Sequence, residues 1–517
     1  MTVHDYIVVG GGTAGCVLAD RLSADPSVSV LLLETGGSAR DERVDQPSRW
    51  PELFGGPLDW ALRTEPQRQL DGRRLAWPRG RLLGGSSAVN AMVHIRGRSS
   101  DYDHWAEFGG EGWSHAALRP WFDRLEGRDG AGGDAPPARL TVSERLRHHP
   151  LAEAFVRAGR ESGLAHNPDF NLGVQEGVGL YRVTQAGGRR CDAYTAYLRP
   201  ALGRPNLTVL TGHRAVRVLL DAGRAIGVET RSENGRTALR AEREVILAGG
   251  TIGSPHLLLL SGIGPAGELR RHGIEAAADL PGVGENLHDH LQVSLSWATE
   301  RTYPVDPGSN LGEAGGFVRT SPELIGPDVQ LSFAPMSGLN QGARPGEGFT
   351  IGPAVTRPRS RGRLSLRSAD PLTAPAIDPG YLTEPEDIEP LIAGVRLARS
   401  LADAPGLRVH RAARSPHPCG PSAEEITAFI RQHAQTQYHP VGTCRLGTDP
   451  RAVVDPELRV HGVAGLRVAD ASVMPAVPTG NTAAAVYAIA EKAAEMIGGR
   501  DRHPARTATT LPGDARV

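Results

Sequence analysis

Gly10-Gly11-Gly12-Thr13-Ala14-Gly15 fits the pattern G-x-G-x-x-G, and Glu34 lies 19 residues beyond its last glycine. Each residue type has a task at that spacing. Gly10 permits a tight turn, Gly12 lets a pyrophosphate approach the backbone, and Gly15 lets a helix pack on the preceding strand. Thr13 and Ala14 fall where that helix opens, and its N-terminus faces the anion. A carboxylate at position 34 can hold the ribose hydroxyls of an adenine dinucleotide. This set reads as a dinucleotide site without choosing between NAD and FAD. His288-Asp289-His290 is a second cluster with chemical potential. Histidines at i and i+2 can chelate, but further ligands must come from elsewhere, and no second His/Cys cluster has metal spacing. No metal is expected, and the three residues read as hydrogen-bonded loop residues near the cofactor. His439, in Gln437-Tyr438-His439-Pro440, precedes an apolar, glycine-rich run and on its own reads as a structural histidine. Asn481 on its own reads as the N-cap of the last helix. Neither a G-x-S-x-G elbow nor a P-loop is present.

The hydrophobic pattern supplies the elements that must carry these residues. Residues 5–9 form an apolar strand ended by glycines, 15–23 a helix with Val17, Leu18 and Leu22 on one side, and 28–33 a second strand. Strand, glycine turn, helix and strand make a βαβ unit, which implies a parallel sheet with a right-handed crossover. Residues 36–80, rich in Gly, Pro and Arg, read as extended loops. Residues 116–125 and 150–162 are predicted helices, and 127–137 an exposed loop. Residues 207–210, 216–221 and 225–228 alternate like a small antiparallel set turning near Gly223. Residues 244–248 form another buried strand, whose end faces the crevice of a doubly wound sheet. Ser254 and Pro255 read as N-cap and first residue of a helix over 254–261. Residues 479–497 form an alanine-rich helix closed by Gly498 and Gly499.

Gly80-Arg81-Leu82-Leu83-Gly84-Gly85-Ser86-Ser87-Ala88-Val89-Asn90 resembles the first signature of the glucose–methanol–choline (GMC) oxidoreductases. Gly250 through Gly264 resembles their second. Leu280 through His290, Tyr438 through Thr443, and Val468 through Ser472 are also similar to the family, so the resemblance spans residue 5 to about 497. It implies an α/β fold: a Rossmann-like FAD-binding domain with an interleaved, sheet-based α+β substrate domain. It also implies a choline dehydrogenase-like FAD enzyme that oxidises an alcohol to an aldehyde or ketone. Hydride would pass to flavin N5, with His439 as general base and Asn481, at a place held by His or Asn in the family, facing the same oxygen. A histidine suits that task because its pKa lies near neutrality. The loop carrying Arg81, Gly84, Gly85 and Ser86 would pass the flavin, with Asn90 and Ala91 close to the reactive ring. Val216, Ala248, Asp470 and Ala471 complete the expected cofactor contacts. Val89 stands where some members carry a histidine bonded to the flavin, so the FAD is expected to be non-covalent. A cyanohydrin-type lyase and a light-driven decarboxylase are the alternatives within the family; the His439/Asn481 pair favours oxidation.

Length and composition bound the rest. The chain has 517 residues, enough for two large domains. A formal net charge of −1 offers no field for nucleic acid. No run of ~18 apolar residues predicts a spanning helix. The N-terminus shows no secretion signal, and four scattered cysteines suit a reducing, cytoplasmic location. The expected division is 1–290 as FAD-binding domain, 291–435 as substrate domain, 436–500 as the returning FAD segment, and 501–517 as a disordered tail. The partner is a small-molecule alcohol, with oxygen, a quinone or a carrier as the open choice of electron acceptor. For a cationic substrate, Glu313, beside the turn Gly315-Gly316, is the first candidate partner.

Overall fold

The computed structural model describes residues 3–37, 41–126, 139–145, 147–338, 342 and 344–499. The loop expected at 127–137 and the tail expected at 501–517 lie outside the described residues. The elements that matter below are β1 (Val3–Val9), α1 (Thr13–Leu22), β2 (Val30–Leu33), α2 (His115–Leu125), α3 (Pro150–Glu161) and β3 (Gly177–Leu180). They continue with β4 (Leu207–Leu210), β5 (Arg214–Asp221), β6 (Arg224–Ser232), β7 (Gly235–Leu247), α4 (Gly250–Leu260), β8 (Leu291–Gln292) and β9 (Ala314–Val318). The last are β10 (Val329–Ser337), β11 (Arg344–Val355), α5 (Ile388–Asp403), β12 (Gln435–Thr436), β13 (Leu466–Val468) and α6 (Ala483–Gly498).

The first sheet has the order β4-β2-β1-β7-β6-β5, with β13 beside β7. Strands β4, β2, β1, β7 and β13 run parallel, and β7, β6 and β5 form an antiparallel meander. The parallel strands are continuous apolar runs because both faces are covered; every residue of β2 is buried. Helix α1 packs against α6, and Arg21 on α1 meets the buried Glu491 of α6 with two hydrogen bonds of 2.8 Å.

Four local expectations are corrected. Residues 207–210 do not join the antiparallel set: β4 pairs in parallel with β2, Val30 opposite Leu207. A short apolar run carries no direction of its own, and the available sheet edge decides it. Helix α4 begins at Gly250, with Gly249 rather than Ser254 as its cap. Pro255 therefore sits inside the helix and cannot donate to the Thr251 carbonyl; the Thr443 hydroxyl donates there instead, at 2.6 Å. Helix α6 begins at Ala483 after Thr482, so Asn481 is not its cap. The stretch 36–80 also contains short helical turns, Glu42–Asp45 and Pro47–Leu53.

The second sheet has the order β12-β8-β11-β10-β9-β3, and Leu295–Trp297 also pairs with β11. Helices α3 and α5 pack on it. Strand β3 and helix α3 come from within the 1–290 stretch, so that stretch also builds the second sheet. Among the described residues no helix is long and apolar enough to cross a membrane.

Candidate active site

Val9 pairs with Leu33 and Leu247, and Leu247 with Val468. The residues that follow these strand ends are Gly10, Glu34, Ala248 and, two places on, Asp470. They are thereby collected at the carboxyl edge of the sheet, where doubly wound folds bind ligands. A cavity of about 590 Å³ opens at this edge and reaches His439 and Asn481. Gly10, Gly12, Thr13, Ala14, Glu34 and Ala248 line one part of it; Arg81, Gly85, Ser86, Asn90, Ala91, Asp470 and Ala471 line others.

Gly15, Gly84 and Val216 do not line it. A Cβ at Gly15 would lie 1.8 Å from the Gly10 carbonyl oxygen, so this glycine serves the contact of α1 with the turn. Gly84 caps the short turn Gly85–Ala88. Val216 is buried, and its neighbours Arg214 and Ala215 face the cavity instead. Gly85, at φ +53°, comes so near Gly12 that its Cβ would be 2.6 Å from the Gly12 Cα. The two glycine-rich segments touch and form one cradle.

The cradle suits an anionic dinucleotide. Gly12 caps α1 without a side-chain hydrogen bond, which leaves the helix N-terminus open. Glu34 accepts from the amides of Gly11 at 2.9 Å and Gly36 at 2.7 Å. Burial pushes its carboxyl up to about 7, against the pull of those amides. Asp470 accepts from Gly250 N at 2.8 Å, Ser254 Oγ at 2.6 Å and Ser472 N at 2.8 Å. Its carboxylate thus ties the end of β13 to the start of α4, and what it can offer a ligand is backbone. Asn90 Oδ1 accepts from Met92 N at 3.0 Å and Arg190 Nη1 at 2.8 Å, leaving its amide nitrogen for the cavity.

The other end of the cavity holds a chain of proton donors whose direction is fixed. His290 Nε2 lies 3.0 Å from the Thr356 carbonyl oxygen. A carbonyl only accepts, so Nε2 carries the proton and neutral His290 has a bare Nδ1. That Nδ1 lies 3.0 Å from His439 Nδ1, which must therefore be the donor. His439 Nε2 is then unprotonated, and Asn481 Nδ2 donates to it at 3.1 Å. Burial above all, with the charge of Arg79 added, holds the His439 pKa well below 6.5. The preceding Tyr438 has φ +69°, a conformation costing ~1–3 kcal/mol in a residue other than glycine. It is clamped: its N–H donates to Thr436 Oγ1 at 2.6 Å, and Arg79 Nη2 donates to its carbonyl at 2.7 Å. The next amide, of His439, donates to Asp289 Oδ1 at 2.7 Å.

A family model described as GMC oxidoreductase matches residues 4–292, and a second of the same description matches residues 358–490. The chain belongs to the GMC oxidoreductase family. It is 42% identical to an alcohol dehydrogenase (acceptor) of Pseudomonas putida, over 96% of each chain. It is 40% identical to the mitochondrial choline dehydrogenase of Mus musculus, over 98% of this chain and 91% of that protein. The solved structure of pyridoxine 4-oxidase from Mesorbium loti superimposes with a TM-score of 0.90 at 34% identity, covering 97% of this chain and all of that one. The protein is an oxidoreductase, and FAD is the cofactor that fits the cradle.

Within this GMC oxidoreductase the His288-Asp289-His290 motif divides its labour. His288 donates from Nδ1 to the Asn286 carbonyl at 2.7 Å and accepts from Val477 N at 2.9 Å, a structural tie. Asp289 accepts from Tyr381, from Thr436 Oγ1 and from the His439 amide. His290 faces His439. Among the described residues no group of three or more His, Cys, Asp or Glu is placed to hold a metal. Glu313 does not line the cavity. It is buried against the His149 amide at 2.7 Å, with Ser309 and Arg145 beside it, and so cannot meet a substrate there.

Burial takes the pKa of His290 down to about 4. An unfolded histidine titrates near 6.5, so between pH 6.5 and 4 the unfolded chain binds the extra proton. Stability therefore falls as pH drops through that window, by about 3 kcal/mol from this residue. Glu34, whose pKa is raised, works in the opposite sense. The check is thus a difference: thermal unfolding of the wild type should lose more between pH 6.5 and 4.5 than that of His290→Asn. Equal losses would remove the assignment of a buried neutral His290.

Proposed function

We propose that this chain oxidises the CH–OH group of an alcohol to an aldehyde or ketone, with non-covalently held FAD as the electron acceptor. The observation that carries the reading is the unprotonated Nε2 of His439 facing the amide of Asn481 in a cavity continuous with the dinucleotide cradle. FAD, when bound, supplies a two-electron acceptor that takes hydride at N5. His439 Nε2 takes the hydroxyl proton, which removes the obstacle to losing hydride from the neighbouring carbon. Asn481 Nδ2 turns to the alcohol oxygen and stabilises the negative charge that grows there. His439 keeps donating from Nδ1 to His290 before and after protonation, so the ring need not move. The helix start at Thr13, Glu34 and the Gly84–Ala91 loop would hold the FAD, with the second sheet over the substrate. In this assignment 1–290 and 436–500 serve mainly the cofactor and 291–435 mainly the substrate. The names of the two curated relatives support an alcohol as the class of donor.

Anaerobic mixing with an alcohol should bleach the yellow holoenzyme, more slowly when the reacting carbon carries deuterium. Failure of every alcohol in a broad panel to bleach it would overturn the reading. Val89 lines the cavity and has no nucleophile. Acid or heat denaturation should therefore release intact FAD into the supernatant, and flavin retained in the protein pellet would contradict non-covalent binding.

A further inference from the structure

Beside His439, the reacting end of the cavity is lined by the amides of Gln292, Gln330, Gln437 and Asn481 and by hydroxyl-bearing and apolar side chains. The acidic residues lining the cavity are Glu34 and Asp470, and both are engaged with their own chain, Glu34 with Gly11 and Gly36 and Asp470 with Gly250, Ser254 and Ser472. Glu313 and Asp289 are also turned to the protein. Arg79 brings positive charge beside His439. Met92, Leu311 and Phe333 give the cavity apolar surface.

Into this surface the chain builds a second directed hydrogen-bond relay. Tyr181 donates its hydroxyl to the Leu331 carbonyl at 3.3 Å, so its oxygen accepts from Gln330 Nε2 at 3.2 Å. That orients the Gln330 amide, whose Oε1 accepts from Gln437 Nε2 at 3.1 Å. The Gln437 amide is thereby fixed, with Oε1 as its acceptor outside the relay. Gln437 lines the cavity, is only 8% exposed, and its buried Oε1 has no hydrogen-bond partner among the described residues. A buried acceptor without a donor is costly, and a ligand that brings the donor is favoured over one that does not.

We propose that the substrate is a neutral alcohol with an apolar body and one further hydroxyl or N–H, which Gln437 Oε1 receives, and that cationic alcohols are disfavoured. The proposal rests on the alcohol-oxidation reading and sets Gln437 as a specificity residue, held by Gln330 and Tyr181. Choline and its uncharged isostere 3,3-dimethylbutan-1-ol separate charge from shape. A homologous series of α,ω-diols and their monomethyl ethers separates the donor from the chain that carries it.

The test is anaerobic flavin reduction in the holoenzyme, read as the ratio of reduction rate to dissociation constant. The uncharged isostere should exceed choline by about 10-fold or more, since a cation must leave water for a wall whose described residues offer it no free anion. At the matching chain length a diol should exceed its ether by about 10–100-fold, beyond the statistical factor of about two. Gln437→Leu should bring that diol-to-ether ratio within a few-fold of the statistical value. The wild-type ratios stand even if the variant loses FAD. Choline equal to or better than its isostere would overturn the charge argument and assign the Trp50, Phe54 and Tyr438 rings as a cation site. Diols no better than their ethers at any length would overturn the role of Gln437. Either failure leaves alcohol oxidation in place, whereas a panel in which nothing bleaches the flavin removes the earlier reading instead.

Discussion

His439→Ala should slow anaerobic flavin reduction by an alcohol on the order of 10²–10⁴-fold, or about 3–5 kcal/mol of barrier. FAD content should be kept. The bond that positions this segment runs from the His439 main-chain N–H to the Asp289 carboxylate and survives the substitution. The clamps on Tyr438 survive as well. What is lost is the lone pair on Nε2. The pH profile gives a second readout. His439 is held well below 6.5, chiefly by burial, so its neutral, proton-accepting form prevails at neutral pH. In the wild type kcat/KM should rise with pH on an acid limb whose midpoint lies below 6.5. That limb should vanish in His439→Ala. Asn481→Ala should cost less, on the order of 10²–10³-fold, the size of one oxyanion-type hydrogen bond. Both residues act on one oxygen, so the double variant should lose less than the product of the two losses. Wild-type rates in His439→Ala, with a deuterated alcohol showing that C–H cleavage limits the rate, would require another base.

How much of this site is readable before folding depends on how far apart its parts lie in the chain. Gly10 to Gly15 and Glu34 lie within one βαβ unit, where spacing alone sets geometry, and the strand ends at Val9, Leu33 and Leu247 are aligned by parallel register. His439 and Asn481 stand out through the motifs around them, and the fold brings their side chains to 3.1 Å. Their neighbours are harder. His290 lies 149 residues before His439. It arrives beside it because β8 and β12 pair with Leu291 opposite Thr436, a register no local pattern specifies. Arg190 likewise meets Asn90 from 100 residues away. Glu313 fails for the converse reason. Its neighbours in sequence, Gly312 and Ala314, do line the cavity, but the His149 amide, Ser309 and Arg145 hold the Glu313 carboxylate inside the protein. Pro255 shows how a local rule is overridden. Ser-Pro is a sound helix start, yet here the bond that proline forfeits is replaced by the hydroxyl of a residue nearly 200 places away.

His290 sets the second large expectation, because the direction of the whole proton chain depends on it. With His290 present, its Nδ1 can only accept, and His439 must keep its own proton on Nδ1. In His290→Ala that Nδ1–H loses its buried acceptor, at a cost of ~1–3 kcal/mol. The neutral ring can then move its proton to Nε2, where it blocks acceptance of the substrate proton. A catalytic imidazole placed in the wrong tautomer is known to lose about 10⁴-fold in a serine protease; a loss on the order of 10²–10⁴-fold in flavin reduction is expected here. A merely structural role would not produce the accompanying signs. The loss should fall on the reduction rate more than on alcohol affinity. The acid limb should shift further down, because neutral His290 accepts the His439 Nδ1–H and so favours the protonated ring, a support that His290→Ala removes. His290→Asn can set a carboxamide oxygen where Nδ1 stood and should recover part of the rate, whereas His290→Leu, apolar and of comparable bulk, should not. If His290→Ala holds FAD and reduces it at the wild-type rate, or if Asn and Leu are equally poor, the tautomer of His439 is set by something other than this contact.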